Sequence, residues 1–95
     1  MVDPVTVAAQ LVWHMRREPD RVRYFVDVPG VLEPDLDVAI EGAVLIVRAQ
    51  RSVPELRLLS CRLPLPARCD VQRLDVRLEF GVLELLLPAL AGDEA

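Results

Sequence analysis

Apolar and charged residues alternate along most of this chain, and the alternation is clearest in its last third. In residues 74–79, leucine or valine at each even position is followed by a charged residue, which is the period of a strand with one buried face. Residues 82–87 are apolar on nearly both faces and are interrupted only by Glu84. The pair Phe80-Gly81 between the two segments predicts a hairpin turn. A strand as apolar as 82–87 must be covered on both faces or must offer one face to a partner.

The same period, with turn residues between the segments, predicts five further strands. They lie at about 11–17, 22–28, 36–40, 44–49 and 56–63. Proline, glycine and acidic residues separate them, as at Glu18-Pro19-Asp20 and Glu41-Gly42. Seven short strands with such spacing predict an all-β, antiparallel, immunoglobulin-like β-sandwich.

The length of 95 residues predicts a single domain. We expect a short N-terminal arm at 1–10, the sandwich at 11–88 and an acidic C-terminal tail at 89–95. A short helix over about 4–10 is an open alternative, because Asp3-Pro4 has the residue types of a helix N-terminus.

The charge of the chain bears on which partners it can bind. The net charge is −4, so a broad nucleic-acid surface and docking on anionic membranes are both disfavoured. All eleven basic residues are arginine, and no function follows from that choice. No stretch has the length of about 18 uncharged apolar residues that a membrane span requires. We therefore expect a soluble cytoplasmic protein with neither a nucleic-acid nor a membrane partner.

Few residues offer chemistry. Cys61 and Cys69 have no second pair of Cys or His at ligand spacing, so we expect buried free thiols and no metal site. His14 is expected at the surface. Four carboxylates alternate with predicted core residues and are expected on a solvated sheet face, so neither an enzyme nor a cofactor is predicted. These four are Asp27, Asp35, Asp37 and Glu41. Glu84 is expected either to guard against edge aggregation or to pair with an arginine such as Arg77.

Four segments in order resemble the α-crystallin domain of small heat-shock proteins. The segments are DVPGV at 27–31, LDVAIEGAVLIVRAQR at 36–51, LPARCDV at 65–71 and LDVRLEFGVLELLLP at 74–88. The resemblance covers roughly residues 22–51 and 56–88. The domain is also similar to the CS domains of co-chaperones, in which Trp13 would match a tryptophan of the first strand, and to α-crystallin-like domains of arsenite-pump-type ATPases.

The chain departs from the family pattern in the parts that assemble subunits. The connection at 50–55 is too short for the strand exchange of bacterial members, and no Ile-x-Ile/Val anchor follows Pro88. The N-terminal region is about ten residues, and Leu59, Cys61 and Leu63 stand where the family has an arginine between aromatics. We therefore expect a monomer or homodimer rather than a large oligomer.

The resemblance implies an ATP-independent holdase, or a related protein-binding domain, that captures apolar segments of unfolding client proteins. The alternative is a CS-like adaptor that docks one specific ATPase or chaperone partner. The family's groove between two strand edges implies a binding site on alternate residues of two strands. These residues are Leu36, Val38, Ile40, Leu74, Val76 and Leu78. The competing interpretation is that half of them simply face the core.

Overall fold

The computed structural model describes residues 9–51 and 56–90. These residues form eight strands and two short 3-10 helices. The strands are β1 (Ala9–Gln10), β2 (Trp13–Glu18), β3 (Arg21–Asp27), β4 (Leu36–Glu41), β5 (Val44–Arg51), β6 (Arg57–Pro64), β7 (Asp75–Glu79) and β8 (Val82–Pro88). The 3-10 helices are Glu33–Asp35 and Val71–Arg73.

All seven predicted strands are present, and the two-residue strand β1 is an addition. The alternative helix at 4–10 lies mostly outside the described residues, and its last two positions are in β1. Most of the predicted tail, 91–95, lies outside them as well. The proposed domain boundaries therefore stay predictions.

The strands form two four-stranded sheets. Sheet A has the order β1-β6-β5-β4, and sheet B has the order β2-β3-β8-β7. Every neighbouring pair is antiparallel except β1 with β6, which is parallel. The architecture is the immunoglobulin-like β-sandwich that the alternation predicts.

The core lies between the two sheets and is built from alternate residues of the central strands. In β8, for example, Leu83, Leu85 and Leu87 are buried, whereas Glu84 and Leu86 on the other face are only partly covered. Fifteen buried residues form one cluster, mostly valine and leucine. They are Leu11, Val22, Tyr24, Val26, Val28, Val31, Leu45, Val47, Ala49, Leu59, Cys61, Leu63, Leu83, Leu85 and Leu87.

One polar contact crosses this apolar interior. The hydroxyl of Tyr24 on β3 donates to the backbone carbonyl of Pro64 at the end of β6, at 2.7 Å. The tyrosine is fully buried, so the hydrogen bond satisfies a hydroxyl that would otherwise be costly to bury. It ties sheet B to sheet A.

Candidate protein-binding groove

Two edge strands carry the residues predicted to line a binding groove. Strand β4 is the last strand of sheet A, and β7 is the last strand of sheet B. The register pairs Val38 with the buried Val47, and it pairs Val76 with the buried Leu85. Cross-strand partners share a sheet face, so the apolar residues of both edges lie on the inner faces of the sandwich.

The six predicted groove residues divide into a covered and an exposed set. Leu36, Val38, Leu74 and Leu78 are partly buried and pack against the core. Ile40 is 37% exposed, and Val76 is 45% exposed. The interpretation that part of the set faces the core thus describes four residues, and Ile40 and Val76 are the two that present apolar surface to solvent.

A surface cleft of about 440 Å³ runs along β7. Val76 and Leu78 line it from the edge strand, Phe25 and Val82 from the outer face of sheet B, and Glu33 from the 3-10 helix that leads into β4. The segment before β4 therefore lies beside β7, although the two strands belong to different sheets.

Glu84 interrupts the apolar strand β8 because it has a cationic partner. Its carboxylate accepts a hydrogen bond from Arg23 at 2.8 Å. The expectation of an arginine partner is confirmed, but the partner is Arg23 and not Arg77, the arginine given as an example. Arg77 lies directly opposite Glu84 on β7, but its guanidinium pairs with Asp75, at 3.4 Å. The competing carboxylate on its own strand explains the difference.

The outer face of sheet B is ionic around this pair. Arg23 also donates to Glu18 at 2.9 Å, and Arg21 pairs with Asp20 at 3.0 Å. Hydrogen bonding to Glu84, and then to Glu18, raises the pKa of Arg23 above its ordinary value. A cleft of about 670 Å³ lies on this face beside Arg21 and Arg77, whose charges are both already paired.

Trp13 and His14, the two aromatic residues of β2, both contact other side chains of the domain. Trp13 is partly buried and packs against the core. His14 is exposed and stacks on Phe25 with ring centroids 5.2 Å apart, and the guanidinium of Arg16 lies 5.7 Å from the centre of the same Phe25 ring. The surface position predicted for His14 is confirmed.

The two cysteines are free, but they are not buried equally. Cys61 is 1% exposed, and burial raises the pKa of its thiol to about 11. Cys69 is only partly buried, so the prediction of two buried thiols was wrong for this residue. It lies in the loop after β6, and its side chain packs against the edge of the core cluster without being enclosed by it. Within 9–51 and 56–90, no three His, Cys, Asp or Glu side chains group as a metal site.

One exposed residue escaped the sequence analysis. Phe80 is 97% exposed at the turn between β7 and β8. Both turn residues have positive φ, 52° for Phe80 and 76° for Gly81. The sequence nevertheless marks this position as unusual. A two-residue turn of this kind favours asparagine before glycine, and here phenylalanine takes that place.

Comparison with solved structures identifies proteins that have the same fold. The fold is that of the α-crystallin domain. Heat shock protein 16.0 of Schizosaccharomyces pombe superposes with a TM-score of 0.80 at 18% identity, over 98% of this chain and 76% of that one. The rat alpha crystallin domain gives 0.68 at 20% identity, over 84% of this chain and 91% of its own.

The sequence relatives agree with the fold. A chloroplastic small heat shock protein of Pisum sativum is 28% identical over 86 residues, which are 80% of this chain and 37% of the relative. A mitochondrial 23.5 kDa heat shock protein of Arabidopsis thaliana is 23% identical over 90 residues, which are 86% and 43%. The resemblance to small heat-shock proteins is confirmed, and the CS-like alternative is not favoured.

The chain spans less than half the length of these two relatives. No protein-family model matches it. In the part of the chain that the structure describes, no helix is long and apolar enough to cross a membrane.

Proposed function

We propose that this chain is an ATP-independent chaperone that holds unfolding client proteins at the apolar edges of strands β4 and β7. The observation that carries the proposal is the exposure of Ile40 and Val76 on the two edge strands. Their neighbours on the same strand faces, Leu36, Val38 and Leu78, pack against the core. An extended client segment that docks there buries apolar surface at about 25 cal/mol per Å². An edge strand also offers unpaired backbone groups to such a segment. Neither contact needs a cofactor or a catalytic group.

Aggregation of a reduced insulin B chain, followed by light scattering, tests the proposal. We expect near-stoichiometric amounts of the wild-type chain to suppress the scattering. Val76→Asp should abolish most of the protection, because it places a charge on the apolar edge without touching the buried core. Val71→Asp is the matched control, since Val71 is 40% exposed and lies outside the two edge strands. Equal protection by both variants would refute the role of the β7 edge.

We propose in addition that the chain assembles no further than a homodimer. Only residues 52–56 separate β5 from β6, too few to form a strand that is exchanged with a second subunit. Light scattering coupled to gel filtration tests this, and a particle of a dozen or more subunits would refute it. Because Cys61 and Cys69 are free thiols, we place the protein in a reducing compartment, the cytoplasm. Fractionation of the source cells tests that placement.

A further inference from the structure

Three apolar side chains are far more exposed than any other large apolar side chain in the described residues. Phe80 is 97% exposed, Val12 is 68% exposed and Leu32 is 67% exposed, whereas the next value is 45%. None of the three is among the residues that pack against the core. We call these three side chains the apolar end surface.

Backbone hydrogen bonds bring two of them to the same end of the sandwich. The amide of Asp27, the last residue of β3, donates to the carbonyl of Val12 at 2.9 Å. The next amide, that of Val28, donates to the carbonyl of Gly81 at 2.8 Å, and Phe80 is the neighbour of that glycine. The end of β3 thus lies between Val12 and the turn, which places their backbones about two strand spacings, or 10 Å, apart.

Leu32 lies at this end as well, because the residue that follows it lines a cleft together with the β7–β8 hairpin. Glu33, which follows Leu32, and Glu79, which precedes Phe80, both line the cleft of about 440 Å³ beside β7. The amide of Val31 donates to the carbonyl of Val28 at 3.2 Å, so the segment up to Leu32 turns tightly at the end of β3.

The backbone at Phe80 is unfavourable for the residue it holds. A bulky side chain at φ 52° is sterically strained, and asparagine or glycine would adopt the same turn more easily. The ring is almost fully exposed, so no packing inside the domain compensates for the strain. Burial against another molecule is the contact from which this ring gains free energy.

Acidic residues predominate around the apolar end surface. Two arginines also lie near it: Arg77, whose guanidinium pairs with Asp75, and Arg51, which donates to the carbonyl of Pro29 at 3.4 Å. Asp27, Glu33, Asp35 and Glu79 all lie within three residues of one of its members or of its backbone partners. None of these four carboxylates has an ion-pair partner in 9–51 and 56–90. Two copies of the chain that met through this surface would place acid against acid, whereas a basic partner would neutralise it.

We infer that the apolar end surface binds a basic segment of another protein, in which aromatic or aliphatic residues alternate with arginine or lysine. Phe80 is the central anchor, Val12 and Leu32 extend the apolar contact, and the carboxylates pair with the flanking cations. This site goes beyond the proposed holding of clients at the strand edges, because it lies at the end of the sandwich and selects by charge.

A labelled twelve-residue peptide of alternating leucine and arginine is the probe, and fluorescence anisotropy gives its dissociation constant. A peptide with glutamate in place of each arginine is the charge control. We expect the basic peptide to bind at least about tenfold more tightly than the acidic one. Phe80→Asn should weaken its binding by about tenfold or more, because truncation of an aromatic anchor costs at least that much. The same substitution should raise Tm by about 4 °C or more, since it relieves the turn.

The combination of higher Tm with weaker binding distinguishes a docking role from a purely local one. Val71→Asn, an exposed residue outside the surface, should leave the basic peptide's affinity unchanged. Ile40→Asp should impair protection of clients but not peptide binding, which separates this inference from the proposed function. Binding that survives Phe80→Asn, or an acidic peptide that binds as tightly as the basic one, would overturn the inference. So would a dimer of the wild-type chain that Phe80→Asn dissociates, because the occupant would then be a second copy.

Discussion

The guanidinium of Arg23 lies 2.8 Å from the carboxylate of Glu84, and this contact joins the two central strands of sheet B on their outer face. The same arginine reaches Glu18 on β2 at 2.9 Å, so one side chain connects three neighbouring strands. Both carboxylates are only about a quarter exposed, at 25% for Glu18 and 22% for Glu84. The charge within the apolar strand β8 therefore belongs to an ion-pair network.

We expect Glu84→Gln to lower the midpoint of urea unfolding, because it leaves Arg23 with a weaker, uncharged acceptor. Asp75→Asn is the matched control, since it breaks the more exposed pair with Arg77 and should have a smaller effect. In about 1 M salt the effect of the control should disappear, whereas that of Glu84→Gln should persist in part, because partly buried pairs are less screened. Equal midpoints for the two variants would show that the ion pairs of Arg23 stabilise the fold no more than the exposed pair of Arg77 with Asp75 does.

Two glycines with the same backbone conformation test how tightly the β3–β4 turn is packed. Gly30 and Gly42 have φ of 78° and 60°. A Cβ at Gly30 would lie 3.0 Å from Cδ of Arg51, whereas a Cβ at Gly42 would meet nothing within 4 Å. We expect Gly42→Ala to cost about 1 kcal/mol of unfolding free energy from backbone strain alone.

Gly30→Ala should cost about 0.5–1 kcal/mol more than Gly42→Ala, because the Arg51 side chain must shift away from its packed position to admit the Cβ. Chemical denaturation of each variant measures both values. Adding Arg51→Ala should remove the excess from Gly30→Ala and should leave Gly42→Ala unaffected. An excess that persists without the Arg51 side chain would show that the contact is not its cause.

The thiols should react at different rates. We expect Cys69 to be alkylated by a bulky maleimide ahead of Cys61, because Cys69 is partly exposed and Cys61 is 1% exposed. Mass spectrometry of timed samples, with digestion to locate the adduct, measures the order. Cys69→Ser should eliminate the early adduct and leave the slow one. A native Cys61 that reacts as fast as Cys69 would contradict the burial described above.

Local pattern was sufficient to predict the strands, because alternation and turn residues are properties of neighbouring positions. Residues 74–79 and 82–87 folded as the two strands that they predict. Strand β1 was beyond such reasoning: two residues show no period, and Ala9–Gln10 forms a strand only because it lies beside β6.

Features that depend on the arrangement of distant strands were predicted less well. Alternation placed Val38 and Val76 each on one face of its strand, but exposure depends on the order of strands within the sheets. That order made β4 and β7 edges. An arginine partner for Glu84 was predicted, but which arginine it is was not, since Arg23 lies 61 residues away in sequence. Which residues of the candidate site face solvent was therefore decided by tertiary structure.

Alkaline pH should destabilise the fold through two buried groups. Burial raises the pKa of Cys61 from 9.0 to about 11, and burial, with a smaller contribution from Cys69, raises that of Tyr24 from 10.0 to about 12. The native state therefore keeps two protons that the unfolded state releases. Their contribution to stability is fully present below pH 9 and is lost as the pH rises through the folded pKa values.

Between pH 9 and 11, each of these two groups can be deprotonated in the unfolded state while it is still protonated in the folded state. The free energy of unfolding should then fall by about 1.4 kcal/mol per pH unit for each such group. Cys61→Ala should reduce stability at neutral pH through the cavity it leaves, yet it should flatten the decline between pH 9 and 11. Tyr24→Phe should leave the slope between pH 9 and 10 unchanged and flatten the decline above pH 10. Urea titrations at half-unit steps of pH give the slopes. A wild-type slope that neither substitution changes would mean that other groups govern the alkaline transition.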